Sequence, residues 1–499
     1  MNNPRVSGIL LHPTSLPGPG GVGGLGEAAH RFVDFLVTAG QSRWQVLPLG
    51  PTGFGDSPYA CLSTFAGNPL LICPERLVAD GLLDPSALAD APAEHPGRVD
   101  YGAVIPYRHR LLATAFERFS VAPRDGMAKA FAAFCTREGW WLDDYALFTA
   151  VKAHHGGAPW HQWEAPIRDR APDAIESWSE RLADELERVR FEQFLFDDQW
   201  VRLRSHANGK GVRIIGDLPI FVPLDSADTW VSPELFHLDE SGYPTVVAGV
   251  PPDYFSATGQ LWGNPLYRWE AHAESGYAWW IQRIRAQLER VDILRLDHFR
   301  GFAAYWEVPA ESPVASAGRW IPGPGMDLFR AVGDALGNIG HLPLIAEDLG
   351  VITEDVVSLR EGLGLPGMAV LQFAFDSDAE NPHMPHRHQR NQVVYTGTHD
   401  NDTTLGWFTH LDEKPKAHCL SYLGDAAMDM PETLVRVALA SVADTCILPL
   451  QDLLELGSEA RMNRPGHAGG NWSWRTREGM FDAQLAETAF RLARLYGRA

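Results

Sequence analysis

The chain has 499 residues, 45% of them hydrophobic, and a formal net charge of -21 at pH 7. That balance excludes global disorder and argues against nucleic acid as a partner, because phosphate binding needs clustered Lys and Arg and no basic run occurs. Cys61, Cys73, Cys135, Cys419 and Cys446 are scattered, odd in number and free of any CxxC pair, so neither a disulfide framework nor a zinc site is indicated.

A reducing cytosol suits these cysteines, and a soluble, unexported chain is expected. The N-terminal apolar core is too short for a signal peptide, and no stretch approaches the roughly 18 apolar residues of a membrane span. Short apolar runs recur along the chain with helix-period segments between them, the pattern of a parallel sheet built from βα units. In chain order the expected strands are 7–12, 44–49, 213–220, 292–297, 342–347, 368–375, 392–398 and 445–450. Among the helices, 27–39 puts Phe32, Phe35 and Leu36 on one face before Gly40, and 277–291 does the same with Trp280, Ile284 and Leu288. Eight strands in this alternation predict an α/β fold, a closed (β/α)8 TIM barrel.

The organisation predicted is a barrel start over 1–69 carrying two strands, a mainly helical insertion over 70–205, and the third strand within 206–223. A Pro/Gly/aromatic loop insertion over the active face follows at 224–275, and 276–499 supplies the last five strands and a C-terminal helix.

In such a barrel the catalytic groups sit at the C-terminal ends of the strands. The stretch ILRLDHFRGF, 293–302, shows why this matters: an apolar run ends in Arg295, Asp297, His298 and Arg300. The third strand likewise stops at Asp217, the fifth at Glu347 and Asp348, the seventh at His399, Asp400 and Asp402, and the eighth at Gln451 and Asp452. Taken singly, each acid reads equally well as a helix N-cap. Several converging on one rim point to chemistry, because carboxylates gathered in a partly dry pocket raise one another's pKa. Arg295 and Asp297 share a strand face, so the guanidinium is expected to hold Asp297 ionised, a nucleophile candidate. Glu347 follows LPLIA with no Lys or Arg nearby in the sequence and is the candidate to keep a proton for donation. One ionised and one protonated carboxyl, with aromatic residues plentiful in the loops, is the constellation of glycosidic bond chemistry.

At these residues the sequence closely resembles glycoside hydrolase family 77, the disproportionating 4-α-glucanotransferase (amylomaltase) family of the α-amylase clan. The likeness includes GILLHPTSLPG at 8–18, LPLGPTGFGDSPY at 47–59, GDLPIFV at 216–222 and GVPPDYFSATGQLWGNPLY at 249–267. It continues through RLDHFRGF at 295–302, IAEDLG at 345–350, YTGTHDNDT at 395–403 and GNWSWR at 470–475. The resemblance implies that Asp297 is the nucleophile, Glu347 the general acid/base, and Asp400 a binder of sugar hydroxyls at the bond-breaking ring. It also implies that Arg295, His399 and Asp217 line the donor site and that Trp262 lies in the loop covering the acceptor side. Tyr59 and His298 join the substrate-binding candidates. Maltooligosaccharides, starch or glycogen-type α-glucans would be donors, with glucose among the acceptors; neither cofactor nor metal is implied, and a monomer is expected.

Other readings compete. Gly21, Gly23 and Gly26 form a G-x-G-x-x-G, but HPTSLPGPG separates it from the preceding strand and no acidic residue ends the next one, so a dinucleotide site is disfavoured. The histidines of PHMPHRHQR, 382–390, read as a solvated loop rather than a metal site, and of the histidines at strand ends His12 reads as structural while His298 and His399 read as sugar-hydroxyl contacts. Without the family, Asp56 and Tyr59 look more like turn residues than substrate rim, and Trp472 and Trp474 more like core than sugar platforms. An α-glucan hydrolase would use the same carboxylates, and a noncatalytic glucan-binding scaffold is the rival from another class.

Overall fold

The structure, a computed structural model, describes residues 5–93, 95–252, 259–337, 342–424, 429–467 and 469–499. Its strands are β1 (Val6–Leu10), β2 (Arg43–Gln45), β3 (Arg213–Leu218), β4 (Val246–Val250), β5 (Gln260–Pro265) and β6 (Ile293–Leu296). They continue with β7 (Ala304–Pro309), β8 (Arg319–Pro322), β9 (Leu344–Ala346), β10 (Gly367–Val370), β11 (Gln392–Tyr395) and β12 (Thr445–Pro449). Eight of them pair in parallel in the order β10-β11-β12-β1-β2-β3-β6-β9. The Ala346 N–H donates to the Pro366 carbonyl at 2.9 Å, joining β9 to the entry of β10 and closing the ring. The fold is a TIM barrel, and each of its eight strands lies within or beside an expected run. Barrel strands are buried on both faces, which is why most of them read as largely apolar runs; Ile9, Ile214, Leu294, Val394 and Ile447 are fully buried.

Between β2 and β3 the long helices Tyr101–Val121, Asp125–His154 and Ala183–Gly209 form an aromatic core in which Phe119 stacks on Phe191 at 4.3 Å. The last of these helices also serves the barrel. Its Gln193 exchanges two hydrogen bonds with the Gly67 backbone, its Gln199 accepts from the Cys73 N–H, and it runs directly into β3.

The interval 224–275 is more than an ordered loop. It contains the helices Ala227–Val231 and Trp269–Glu274, and it supplies β4 and β5 to a four-stranded antiparallel sheet ordered β5-β4-β7-β8. β4–β5 and β7–β8 are consecutive antiparallel pairs joined by long connections rather than tight two-residue turns, β4 pairs β7 from beyond β6, and Gly249 and Gly263 interrupt the alternation. Residues 253–258 of the expected aromatic cover lie outside the described residues.

Candidate active site

The site is built at the C-terminal ends of β3, β6, β9 and β11. Parallel pairing sets Asp217 of β3 against Arg295 of β6, and Leu296 against Ala346 of β9. Asp297 and Glu347, each one residue further on, therefore stand at neighbouring strand ends.

Arg295 and Asp217 are buried. Arg295 Nη1 donates to both oxygens of Asp217 at 2.7 Å and lies 3.0 Å from Asp297 Oδ1. Burial opposes the guanidinium's charge, but Asp217 and Asp297 overcome it and push its pKa up. Tyr59 donates its hydroxyl to Asp217 Oδ2 at 2.5 Å and stacks on the His399 ring at 5.1 Å, with Trp472 packed against both rings. Tyr59 thus belongs to the site rather than to a simple turn, whereas Asp56 sits in the turn itself with φ of 57°. Trp472 and Trp474 are buried, as core residues should be, and Trp472 is at once core and a wall of the site.

Glu347 is held by backbone. The His298 N–H donates to Oε2 at 2.6 Å and the Leu349 N–H to Oε1 at 3.2 Å. Residue 298 takes a left-handed φ of 49°, which turns that N–H toward the carboxyl immediately after Asp297. Trp262 stands edge-on to the His298 ring at 4.8 Å and is 37% exposed, so β5 delivers an open indole to the rim. Burial drives His298 to a pKa of about 4, keeping its ring neutral.

The expectation that Arg295 would hold Asp297 firmly ionised needs correcting. Burial raises Asp297 to about 7, and the Asp217 and Asp400 charges add to the rise, against the opposing pull of Arg295. One guanidinium nitrogen serves both Asp217 and Asp297, so its pull is divided. Glu347 goes well above the usual carboxylate range, first through burial and then through the Asp297 charge. Arg295 opposes that rise too, so the fold brings a cation near Glu347 that its sequence neighbours do not include. Above about pH 7 these shifts leave one proton on the pair, favoured on Glu347, the carboxyl without a guanidinium contact.

Asp400 lies on the loop after β11. It takes the Asn463 side-chain amide on Oδ1 at 2.6 Å, its backbone carbonyl accepts from Arg461 at 2.6 Å, and His399 Nε2 is 3.4 Å away. Asn463 and Arg461 were missed by sequence reasoning; RMNRPG carries no periodic or charge signal that would have found them.

The remaining rim acids serve as struts. Asp348 pairs with Arg360 at 2.5 Å and accepts the Met368 N–H. Asp402 accepts from Ser458, and Asp452 from Thr396 and from both the N–H and hydroxyl of Thr404. His12 is buried beneath the site, and burial together with the His399 charge takes its pKa down to about 3. His388 is not solvated as expected: it is buried and bonded to Ser441 and the His383 carbonyl. Among the described residues no group of three or more His, Cys, Asp or Glu is arranged to hold a metal ion. Gly23 meets Pro13 and Leu16 backbone so closely that an added Cβ would fall 2.2 Å from the Pro13 carbonyl oxygen, a packing role for one glycine of the G-x-G-x-x-G.

The glycoside hydrolase family 77 model, described as 4-alpha-glucanotransferase, matches residues 11–481. The 4-alpha-glucanotransferase of Thermus thermophilus is 52% identical over 95% of each chain, and that of Synechocystis 50% identical over 100% of this chain and 99% of its own. The chloroplastic/amyloplastic 4-alpha-glucanotransferase of Solanum tuberosum is 46% identical over 95% of this chain and 82% of its own. Amylomaltase from Streptococcus agalactiae, solved in complex with acarbose, superposes with a TM-score of 0.94 at 39% identity, covering 99% of this chain and 100% of that one. Identity of this extent, carried over 95% or more of both chains in each of the first two relatives, leaves one assignment: the chain belongs to glycoside hydrolase family 77, the 4-alpha-glucanotransferases.

Proposed function

We propose that the site moves α-1,4-glucan segments from one chain to another by retaining double displacement. Asp297 is the nucleophile, Glu347 the general acid and then base, and Asp400 the ligand of hydroxyls on the ring whose bond breaks. Glu347 gives its proton to the bridging oxygen as an Asp297 oxygen attacks the anomeric carbon; the glycosidic bond breaks, an ester forms and the leaving chain departs. The 4-hydroxyl of glucose or of another maltooligosaccharide then yields its proton to Glu347 and attacks the same carbon, releasing Asp297. Two inversions leave the α configuration unchanged. Arg295, held by Asp217, orients Asp297, while His399 and Tyr59 line the donor side. Every group named comes from one chain, so a monomer suffices.

The observation that carries this reading is the β6–β9 register. It sets the two carboxyl-bearing residues side by side on strands about 4.8 Å apart, compatible with the roughly 5–5.5 Å carboxyl gap of retaining enzymes and narrower than the gap that accommodates an inverting water. Transfer prevails over hydrolysis if the acceptor is held and water kept out, and Trp262 packed on His298 supports that role for the acceptor side.

Incubation with pure maltotriose, with and without EDTA, tests the proposal. Transfer gives a ladder of longer chains plus glucose with no net rise in reducing ends, unaffected by EDTA. Reducing ends rising with every cleavage would mean a hydrolase, and binding without turnover a scaffold.

A further inference from the structure

Asp400 is the proposed catalytic carboxyl set farthest past its barrel strand: Asp297 and Glu347 directly follow β6 and β9, whereas β11 already ends at Tyr395. It sits beyond β11 with 46% of its side chain exposed, and the loop carrying it is gripped from across the rim by residues 461–463. Three hydrogen bonds cross between the segments, and a fourth braces the gripping one. The Asn463 N–H donates to the His399 carbonyl at 3.1 Å, and the Asn463 amide to Asp400 Oδ1 at 2.6 Å. Arg461 ties the two segments together, donating from Nη2 to the Asp400 carbonyl and from Nε to the Asn463 carbonyl, each at 2.6 Å.

The side-chain amide is therefore the contact that fixes the rotation of the Asp400 carboxylate. With Oδ1 occupied by an N–H donor, Oδ2 is the oxygen left to face a sugar. An amide is suited to this, because it donates without adding charge and so leaves the carboxylate's own charge unneutralised. Asn463 is itself buried, so its orientation is set by packing before substrate arrives.

We propose that Asn463 is a positioning residue for the transfer reaction, its amide pinning Asp400 Oδ1 so that Oδ2 meets the hydroxyls of the bond-breaking ring, with Arg461 locking the two loops in register. This rests on the role given to Asp400 above. The interaction is made to a group whose bonds to sugar tighten in the transition state, so its loss is read in kcat more than in KM.

The test compares Asn463→Ala and Asn463→Asp in maltotriose disproportionation from pH 5 to 9, alongside Asp400→Asn and thermal melts. The titratable groups facing Asp400 are His399, Arg461, Asp297 and Tyr59, all unchanged in both Asn463 variants. Removing one hydrogen bond to a charged acceptor should lower kcat about 10- to 100-fold in Asn463→Ala at every pH, with KM little changed and the melt preserved. In Asn463→Asp two carboxyls meet at hydrogen-bond distance and share a proton at low pH. The protonated one donates as the amide did, so activity approaches wild type near pH 5 and falls as that proton leaves, adding an alkaline limb that Asn463→Ala lacks. Asn463→Ala within threefold of wild type, or both variants equally impaired at every pH, would overturn the proposal while leaving the Asp400 reading intact if Asp400→Asn is inactive. An active Asp400→Asn would overturn both.

Discussion

Replacing Asp297 by Asn should abolish turnover and stabilise the protein, and the stabilisation should depend on pH. The folded chain moves this carboxyl from an ordinary pKa of 3.8 to about 7. At about 1.4 kcal/mol per pH unit, keeping it ionised above pH 7 costs about 4 kcal/mol. This is a ceiling, because 27% of the side chain still meets solvent and water screens part of the cost. The folded-state pKa lies above the unfolded one, so the group's favourable contribution is complete below pH 3.8, wanes as the pH climbs and is gone above about 7. Asn carries no such dependence. A 499-residue chain has an unfolding entropy near 1 kcal/mol per kelvin, so at pH 8 the variant should melt up to about 4 °C above wild type. At pH 5 only about 1.6 kcal/mol remains, and the gap should shrink to between 1 and 2 °C. Differential scanning calorimetry at the two pH values is the assay. A variant that melts at or below wild type at pH 8, or a gap that does not narrow at pH 5, would refute the claim that the site is electrostatically strained toward reaction.

Glu347→Gln should lower maltotriose transfer about 100- to 10,000-fold, yet a donor with a fluoride leaving group, which needs no proton, should still load Asp297 and give a glycosyl adduct visible by mass spectrometry; an unloaded variant would argue against the acid role. The kcat/KM profile of the wild type should rise as Asp297 loses its proton near pH 7 and fall only well above that, as Glu347 loses its own. Asp217→Asn removes one of the charges that raise Asp297, so the rising limb should move to lower pH even as the slackened Arg295 lowers the maximum; a limb unmoved or shifted upward would contradict the shared-guanidinium account. Tyr59→Phe removes one hydrogen bond to a buried carboxylate while keeping the stack on His399, and should reduce kcat/KM about 10- to 100-fold in steady-state assays.

What could be read from the sequence follows what burial does to composition. All eight barrel strands were legible because burial on both faces makes their runs mostly apolar, and the polar residues at their C-terminal ends marked the rim where Asp217, Asp297 and Glu347 stand. The sheet of β4, β5, β7 and β8 was not, because it carries exposed Leu261, Trp262 and Trp320 and its two halves, β4–β5 and β7–β8, join through a β4–β7 pairing that spans β6 in the chain. Within the site, Asp348, Asp402 and Asp452 had the same sequence signature as the catalytic candidates. Their partners Arg360, Ser458, Thr396 and Thr404 lie on other segments, and only the fold shows that these acids are already spent. Asn463 is the converse case, a neutral amide with no pattern around it that the fold brings onto Asp400.

The division of labour between the two central carboxyls comes from the strand preceding them in the barrel. Asp217 and Tyr59 fix where the Arg295 guanidinium lies, and from there its Nη1 reaches Asp297 at 3.0 Å, while Glu347 hydrogen-bonds to the uncharged backbone N–H groups of His298 and Leu349. Both carboxyls feel the same dry rim, but one has a cation in contact and the other does not. That contrast favours the proton on Glu347 and supports its proposed role as the acid. The sequence shows Arg295 two residues before Asp297, which is what motivated the expectation of an ionised Asp297. What it could not supply is Asp217's share of that guanidinium, which leaves Asp297 close to its titration point and Glu347 well above its own ordinary range.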